Sequence, residues 1–273
     1  MNIRDLMRAL AATNLPRNEA RLFLAHVLHR DHAWLVAHDD YAFTPDELEQ
    51  INTLAARRAA GEPVAYLLGE REFYGRTFRC SPAALIPRPE TELLIERALL
   101  HSSSNASLRV LDVGTGTGCI AITIALERPS AVVTALDIST DALALALTNA
   151  QRLQANVTFI QSNWFAALPP NAQFDLILSN PPYIAPGDAH LTQGDLCFEP
   201  AIALADAVDG LESYRQLALG AQLHLKSGGM LIVEHGYDQG ETVPALLRAA
   251  GFNDVAMRLD LAGHPRITEA HKP

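Results

Sequence analysis

Cysteine is scarce in this 273-residue chain, and its spacing excludes more than its number does. Cys80, Cys119 and Cys197 stand far apart, with no CxxC pair and no Cys/His set at ligand spacing. Neither a disulfide framework nor a zinc site is expected. No run of about 18 apolar residues occurs, so no membrane-spanning helix is expected. Residues 1–10 carry Arg4, Asp5 and Arg8 and lack an apolar stretch closed by small residues. They do not read as a secretory signal, and a reducing cytoplasm is the expected compartment. Disorder is excluded by composition, with 49% hydrophobic and 19% charged residues. A positive surplus is missing as well. The formal charge is −10: residues 1–88 carry eleven basic and eleven acidic residues, and the remainder carries ten against twenty. A domain that grips a phosphate backbone is usually basic. Direct binding of nucleic acid therefore loses ground, and the acidic balance serves solubility.

What is present falls into two patterns. Residues 1–70 read as helices. Ile3, Leu6, Met7 and Leu10 recur at helical spacing, and a second helix carries Leu22, Phe23, His26 and Val27. Thr44-Pro45-Asp46-Glu47 is a capping box with proline in the first turn, ahead of Leu48, Ile51 and Leu54. A short helix from Pro63 to Leu68 stops at Gly69. Residues 72–80 alternate loosely around Gly75 and read as a hairpin. Pro87 and Pro89 enforce an extended connection into a helix carrying Leu93, Leu94 and Leu99. A polar loop spans residues 101–105. From residue 108 strands and helices alternate, which implies a parallel sheet covered by helices. Strands are expected at 109–113, 132–136, 157–161, 174–179, 230–234 and 255–259. A last one at 266–270 pairs antiparallel with its predecessor across Gly263-His264-Pro265. Helices are expected at 140–153, behind Ser139, and at 211–225.

The sharpest local signal is Val110-Leu111-Asp112-Val113-Gly114-Thr115-Gly116-Thr117-Gly118, a buried strand running into a glycine turn and a helix. Glycines let backbone approach a ligand, and the helix start offers free N–H groups. Asp137, at the end of the next strand, suits two ribose hydroxyls. Its replacement is expected to weaken ligand binding and leave the fold intact. A dinucleotide fingerprint needs a glycine where Cys119 stands, so the spacing favours S-adenosylmethionine over a pyrophosphate. Asp112 either shapes the turn or meets an amino group.

Ser179-Asn180-Pro181-Pro182-Tyr183 follows the fourth strand of this alternation, at the sheet edge where open α/β folds bind ligands. An amide or aniline-like nitrogen is planar and a poor nucleophile until its lone pair is localised. The Asn180 side-chain oxygen and the Pro181 carbonyl each accept one N–H, which holds the NH₂ group and stabilises the charge that grows on it. The two prolines keep the carbonyl aimed, and Tyr183 is able to stack on the planar group. No base or metal is needed, because the alkylated nitrogen is acidic. Adenine's exocyclic amine poses the same problem, so a DNA adenine methyltransferase is the rival enzyme reading. A nucleoside-binding protein without catalysis is the rival of another class. Residues 1–88, net neutral, offer the first no basic groove, and an intact Asn180–Tyr183 argues against the second.

The chain resembles the HemK-type (PrmC-like) protein-glutamine methyltransferases that modify class-1 peptide chain release factors. The resemblance rests on 61–69 (GEPVAYLLG), 72–75 (EFYG), 85–92 (LIPRPETE), the glycine loop, Asn180–Tyr183, Glu199-Pro200 with Ala203-Leu204, and Asp260, Gly263 and Arg266. It implies an α/β fold of the class I S-adenosylmethionine-dependent methyltransferases. That fold is Rossmann-like, with a seven-stranded, mostly parallel sheet behind an N-terminal helical domain. Residues 1–70 would be the substrate-recognition domain, 71–88 a hairpin linker and 89–273 the catalytic domain. The resemblance implies that Gly114, Thr115, Gly116, Thr117, Gly118, Asp137, Trp164 and Asn180 contact S-adenosylmethionine. Asn180, Pro181, Pro182 and Tyr183 would hold the glutamine of a Gly-Gly-Gln loop, with Asn180, Pro181 and Tyr183 as the catalytic group. The implied partner is a release factor in translation termination, with no metal, no direct nucleic acid and no membrane. Arg88, Glu90, Glu92, Glu199 and Arg266 are left between ordering the chain and touching substrate.

Overall fold

The computed structural model describes residues 1–101, 107–206 and 208–273. Residues 102–105 of the expected polar loop lie outside them. The chain divides into two compact units, Met1–Glu70 and Arg71–Pro273.

The first unit is helical: α1 (Ile3–Ala11), α2 (Arg17–Leu28), α3 (His32–Ala37), α4 (Pro45–Ala59) and α5 (Val64–Leu68). Side-chain caps set several of its boundaries. Asn2 accepts the Asp5 N–H at 2.8 Å, and Asp31 accepts that of Trp34 at 2.7 Å. Thr44 and Glu47 cap each other's backbone reciprocally, at 3.3 and 2.7 Å. Such caps contribute about 0.5–2 kcal/mol each. Helix α2 packs Phe23 and Val27 inward, as its apolar spacing suggests, but turns Leu22 and His26 outward. Leu22 is 45% exposed, while Ala20, Phe23 and Leu24 are buried. Ala20, Phe23 and Leu24 join the cluster of Leu6, Ile51 and Leu54. Helix α3 has six residues, too few to show a period, and the sequence reading has no counterpart to it.

The second unit opens with the hairpin β1 (Glu70–Phe73) and β2 (Arg76–Arg79). Its turn residues Tyr74 and Gly75 both have positive φ, +51° and +72°, the geometry of a two-residue hairpin turn. Phe73 and Phe78 meet edge to face at 6.0 Å. Both are buried in one cluster with Leu94, Ile120 and Ile122, so the hairpin belongs to the core of the larger unit. Beyond it run α6 (Glu92–Leu100), β3 (Arg109–Val113), α7 (Cys119–Glu127), β4 (Val132–Asp137), α8 (Thr140–Leu153), β5 (Val157–Gln161) and β6 (Phe174–Ser179). Then come α9 (Ala201–Leu204), α10 (Glu212–His224), β7 (Leu225–Glu234), α11 (Thr242–Ala249), β8 (Asn253–Leu259) and β9 (Pro265–His271).

The seven strands β3–β9 form one sheet in the order β5-β4-β3-β6-β7-β9-β8. Every pairing is parallel except those made by β9, which runs antiparallel to both neighbours. Strand β7 starts five residues before the apolar run that announces it. Its polar opening, Lys226 to Gly229, pairs through backbone, Gly228 N–H to the Lys272 carbonyl and Lys272 N–H to that of Gly229, with Lys226 also reaching Asp175 at 2.7 Å and the Ser227 hydroxyl the Pro273 carbonyl at 2.9 Å. Helix α7 is buried nearly all round, as its unbroken apolar sequence requires. Strand β3 has β4 on one side and β6 on the other. The chain order reverses there, and open α/β sheets form their ligand crevice at that point.

Candidate active site

The glycine loop leaves β3 and folds back over the end of β4. Gly114 and Thr115 both donate their N–H to the Leu136 carbonyl, each at 2.9 Å. Gly118 ends the loop at φ +81°, and a Cβ there would stand 2.8 Å from Ile122 Cδ1 and 3.1 Å from Ala146 Cβ. Gly114 is also left-handed, at φ +76°, but a Cβ there would meet nothing within 4 Å. The first glycine serves close packing of helix on loop; the second leaves open space in front of bare backbone.

Asp112 lies beneath this loop, completely buried. Its Oδ2 accepts the Thr115 hydroxyl at 2.6 Å and the Ala121 N–H at 3.3 Å. Burial pushes its carboxyl up to about 7, against the pull of those two hydrogen bonds. Asp112 thus shapes the turn; the residues lining the cavity do not include it. Asp137 does line the cavity. Its two oxygens accept the N–H groups of Gly116 and Ser139, each at 2.9 Å. Each carboxylate oxygen keeps a further lone pair for a ligand hydroxyl. Besides any ligand, Asp137 thus serves two backbone donors of the fold.

Trp164 also lines the cavity, with its backbone left-handed at φ +51°. Ser162 holds that bend by donating its hydroxyl to the Trp164 carbonyl at 2.7 Å. Ser162 is itself tied to the end of β4 through the Asp137 carbonyl. Thr115 and Thr117 are buried in the loop and border the same cavity.

On the far side stands the loop after β6. Ser179 donates its hydroxyl to the Val113 carbonyl at 2.7 Å, which joins the ends of β6 and β3. Asn180, one residue on, therefore faces the glycine loop. Asn180, Pro181 and Pro182 all line the cavity. Loop carbonyls beyond them are tied down: Pro182 accepts the Ser213 hydroxyl at 2.7 Å, and Tyr183 accepts the Gln239 amide at 3.1 Å. Among the described residues no hydrogen bond reaches the Pro181 carbonyl. Asn180 donates its Nδ2 to Thr91 Oγ1 at 3.1 Å, while its Oδ1 is buried without a partner. A buried amide oxygen left unpaired costs about 1–3 kcal/mol, so this one awaits a donor. The Tyr183 ring packs against the cluster of Tyr214, Leu217 and Val243 and is not part of the cavity lining. Burial pushes its hydroxyl up to about 12.

The remaining candidates order the walls. Glu199 accepts the Ile86 N–H at 2.9 Å and pairs with the Arg88 guanidinium. Glu92 accepts the Tyr74 N–H at 3.0 Å in the hairpin turn. Arg266 reaches the His235 carbonyl at 3.3 Å and lies 3.5 Å from Asp260. Glu90 is exposed. Sequence reasoning passed over Asn149, which is buried on α8. It accepts the Arg79 N–H at 2.7 Å and donates to the carbonyls of Arg79 at 3.1 Å and Thr117 at 2.9 Å. The hairpin is thereby fastened to the glycine loop. A lone amide among the alanines of α8's inner face was the available signal.

Comparison with known proteins agrees with this geometry. Residues 3–69 match the family model of the PrmC N-terminal domain, and residues 89–226 match the Methyltransferase small domain. The release factor glutamine methyltransferase of Bordetella pertussis is 53% identical over 95% of this chain and 96% of its own. That of Neisseria gonorrhoeae is 50% identical, over 95% and 94%. The chain belongs to the release factor glutamine methyltransferase family. This methyltransferase also shares its fold with more distant enzymes. A Pyrococcus furiosus methyltransferase superposes at a TM-score of 0.54 with 18% identity, covering 84% of this chain and 99% of that one. The fold is that of class I enzymes whose methyl donor is S-adenosylmethionine. The bare backbone of Gly114 and the spare lone pairs of Asp137 suit such a donor. No helix among the described residues is long and apolar enough to cross a membrane.

Proposed function

We propose that this chain methylates the side-chain amide nitrogen of the glutamine in the Gly-Gly-Gln motif of a class-1 peptide chain release factor, in the cytoplasm. The observation that carries the reading is the buried, unpartnered Asn180 Oδ1 beside the unengaged Pro181 carbonyl. Two acceptors side by side suit a primary amide, which offers two N–H groups. Gly114, Thr115, Gly116, Thr117, Gly118, Asp137 and Trp164 hold S-adenosylmethionine, which supplies an electrophilic methyl group when bound. Asn180 and Pro181 fix the glutamine NH₂ so that its lone pair leaves conjugation, and they stabilise the positive charge that builds on nitrogen. The alkylated nitrogen is acidic and loses its surplus proton to water. Pro182 stiffens the loop, and Tyr183 anchors it through a half-buried ring packed on the core. The helical unit provides the additional grip on the release factor that a single side chain in a cleft does not.

The test is labelled methyl transfer to four candidates: an intact release factor, its variant with glutamate for the Gly-Gly-Gln glutamine, a short Gly-Gly-Gln peptide and duplex DNA. Label is expected in the intact factor and scarcely in the peptide, whose flexibility costs ordering entropy. The glutamate variant presents an anion without an N–H and is expected to stay unlabelled. Label in that variant refutes the glutamine, and comparable label in DNA moves the acceptor to adenine.

A further inference from the structure

Asn180 is held from behind by two residues outside its own loop. Thr91, in the turn that precedes α6, accepts the Asn180 Nδ2 at 3.1 Å. The Thr91 hydroxyl in turn donates to Glu234 Oε2, at the end of β7, at 2.6 Å. Thr91 and Glu234 are 2% and 1% exposed. A hydroxyl owns one hydrogen, and a carboxylate only accepts. While Glu234 is ionised, the Thr91 hydrogen is committed to it, and the Thr91 oxygen is left only to accept. The sole donor Asn180 has for it is the amide nitrogen, so Oδ1 must point the other way, toward the acceptor. A protonated Glu234 reverses the chain of donors. Its own O–H satisfies Thr91, the Thr91 hydrogen turns to Oδ1, and the Asn180 amide rotates by half a turn. An NH₂ group would then face the glutamine NH₂, donor against donor.

We infer that Glu234, acting through Thr91, is a positioning residue that decides which end of the Asn180 amide meets the acceptor, so that methyl transfer requires Glu234 as a carboxylate. The inference rests on Asn180 being the residue that holds the acceptor.

The surroundings place this switch in an accessible range. Burial pushes the Glu234 carboxyl up to about 7; the Thr91 hydrogen bond, Arg266 and Arg88 pull it down, and Glu90 pushes it up. Tyr183 of the acceptor loop and the Cys119 thiol at the start of α7 also face it. Burial raises both to about 12, so they stay neutral where Glu234 titrates. The Tyr214 hydroxyl of α10 binds the Glu234 backbone carbonyl, not its carboxylate, and burial keeps it neutral too. Asp112, beneath the glycine loop, is raised to the same range as Glu234, about 7, but makes no hydrogen bond to Thr91, so substitutions at Thr91 tell the two apart.

The experiment is turnover of the full-chain enzyme against pH, with an intact release factor and saturating S-adenosylmethionine. Unaltered enzyme is compared with Glu234→Gln, Thr91→Val and Thr91→Ser. The unaltered enzyme should lose kcat below neutral pH. Glu234→Gln offers Thr91 either a donor or an acceptor, so the amide is no longer steered. Its kcat at pH 8 should fall by about tenfold, short of the full loss of a preorganised partner, and the acid limb should vanish. Thr91→Val should behave likewise, and Thr91→Ser should restore both rate and limb. A merely structural role would move the thermal midpoint without moving the limb. Glu234→Gln with the rate and limb of the unaltered enzyme overturns the inference. So does a Thr91→Val enzyme that matches Thr91→Ser, and that pair decides the matter should Glu234→Gln not fold. If the unaltered enzyme transfers no methyl group to the release factor, the reading of Asn180 falls together with the inference.

Discussion

At the scale of single residues, the site separates atoms that are satisfied from atoms that wait. Asn180 Oδ1 waits, and its removal should be felt in turnover. Asn180→Ala is expected to lower the single-turnover rate at saturating donor by on the order of 10²–10³-fold, the usual loss of one partner of a developing charge. A variant keeping most of its rate would take Asn180 out of the chemistry. Asp137 is satisfied twice and still has capacity to spare. Asp137→Ala should weaken S-adenosylmethionine binding by roughly 1.5–3 kcal/mol in a calorimetric titration, because the lost bonds involve a charged acceptor. It should also lower the urea midpoint, since the Gly116 and Ser139 N–H groups lose their partner. Both residues were legible in the sequence, because each sits at the end of a strand where position and chemistry coincide. Thr91 and Glu234 were not, for they act on Asn180 across the fold, and a hydrogen bond between residues 143 positions apart leaves no local trace.

At the scale of elements, the parallel part of the sheet was readable almost residue for residue. Strands β3 and β6 are short runs buried on both faces, which demands apolar composition, while the edge strand β5 shows itself through β-branched and aromatic residues that are only partly buried. The opening of β7 was not readable, because Lys226 to Gly229 carry no apolar side chain and are held by backbone pairing and by polar contacts to distant residues. The inward face of α2 was read only in part, since Phe23 and Val27 pack inward and Leu22 does not. Period alone does not say which of two overlapping apolar stripes will find a neighbour, and packing on α4 chose the one with Ala20. The tie between hairpin and glycine loop is an element-scale device, and Asn149 is its fastener. Asn149→Ala leaves one N–H and two carbonyls without their partner and should cost about 3 kcal/mol by urea unfolding. Donor affinity should fall with it, because the Thr117 backbone loses its anchor. Unchanged affinity in a destabilised variant would show that the loop holds its shape alone.

At the scale of the whole molecule, buried acids give the fold a particular dependence on pH. Asp112 has its carboxyl raised from 3.8 to about 7 in the folded chain. A raised acid favours the protonated fold, so its contribution is fully present below the unfolded value and is lost as pH climbs to about 7. Asp112→Asn keeps an oxygen for Thr115 and Ala121 and removes the titration. The stability of the variant relative to the unaltered protein should therefore grow between pH 4 and pH 7. Thermal midpoints across that window, one series subtracted from the other, measure it. A flat difference would mean that Asp112 titrates alike in folded and unfolded chain.

Strand β9 carries a consequence for how the molecule is assembled. Strand β8 touches the sheet only through β9, and β9 reaches its place only by coming between β7 and β8. Before that insertion β7 is an open edge, with Ile232 and Val233 lacking the partners they have in the finished sheet. Such an edge invites pairing with a second chain. Closing it pairs Met230 to Glu234 with Ile267 to His271, a shorter separation along the chain than β3 and β6 span. Docking of β9 on β7 then ends the interval in which that edge is open to a second chain. Chaperone demand should concentrate in that interval, and destabilising β9 should lengthen it more than an equal loss in α1.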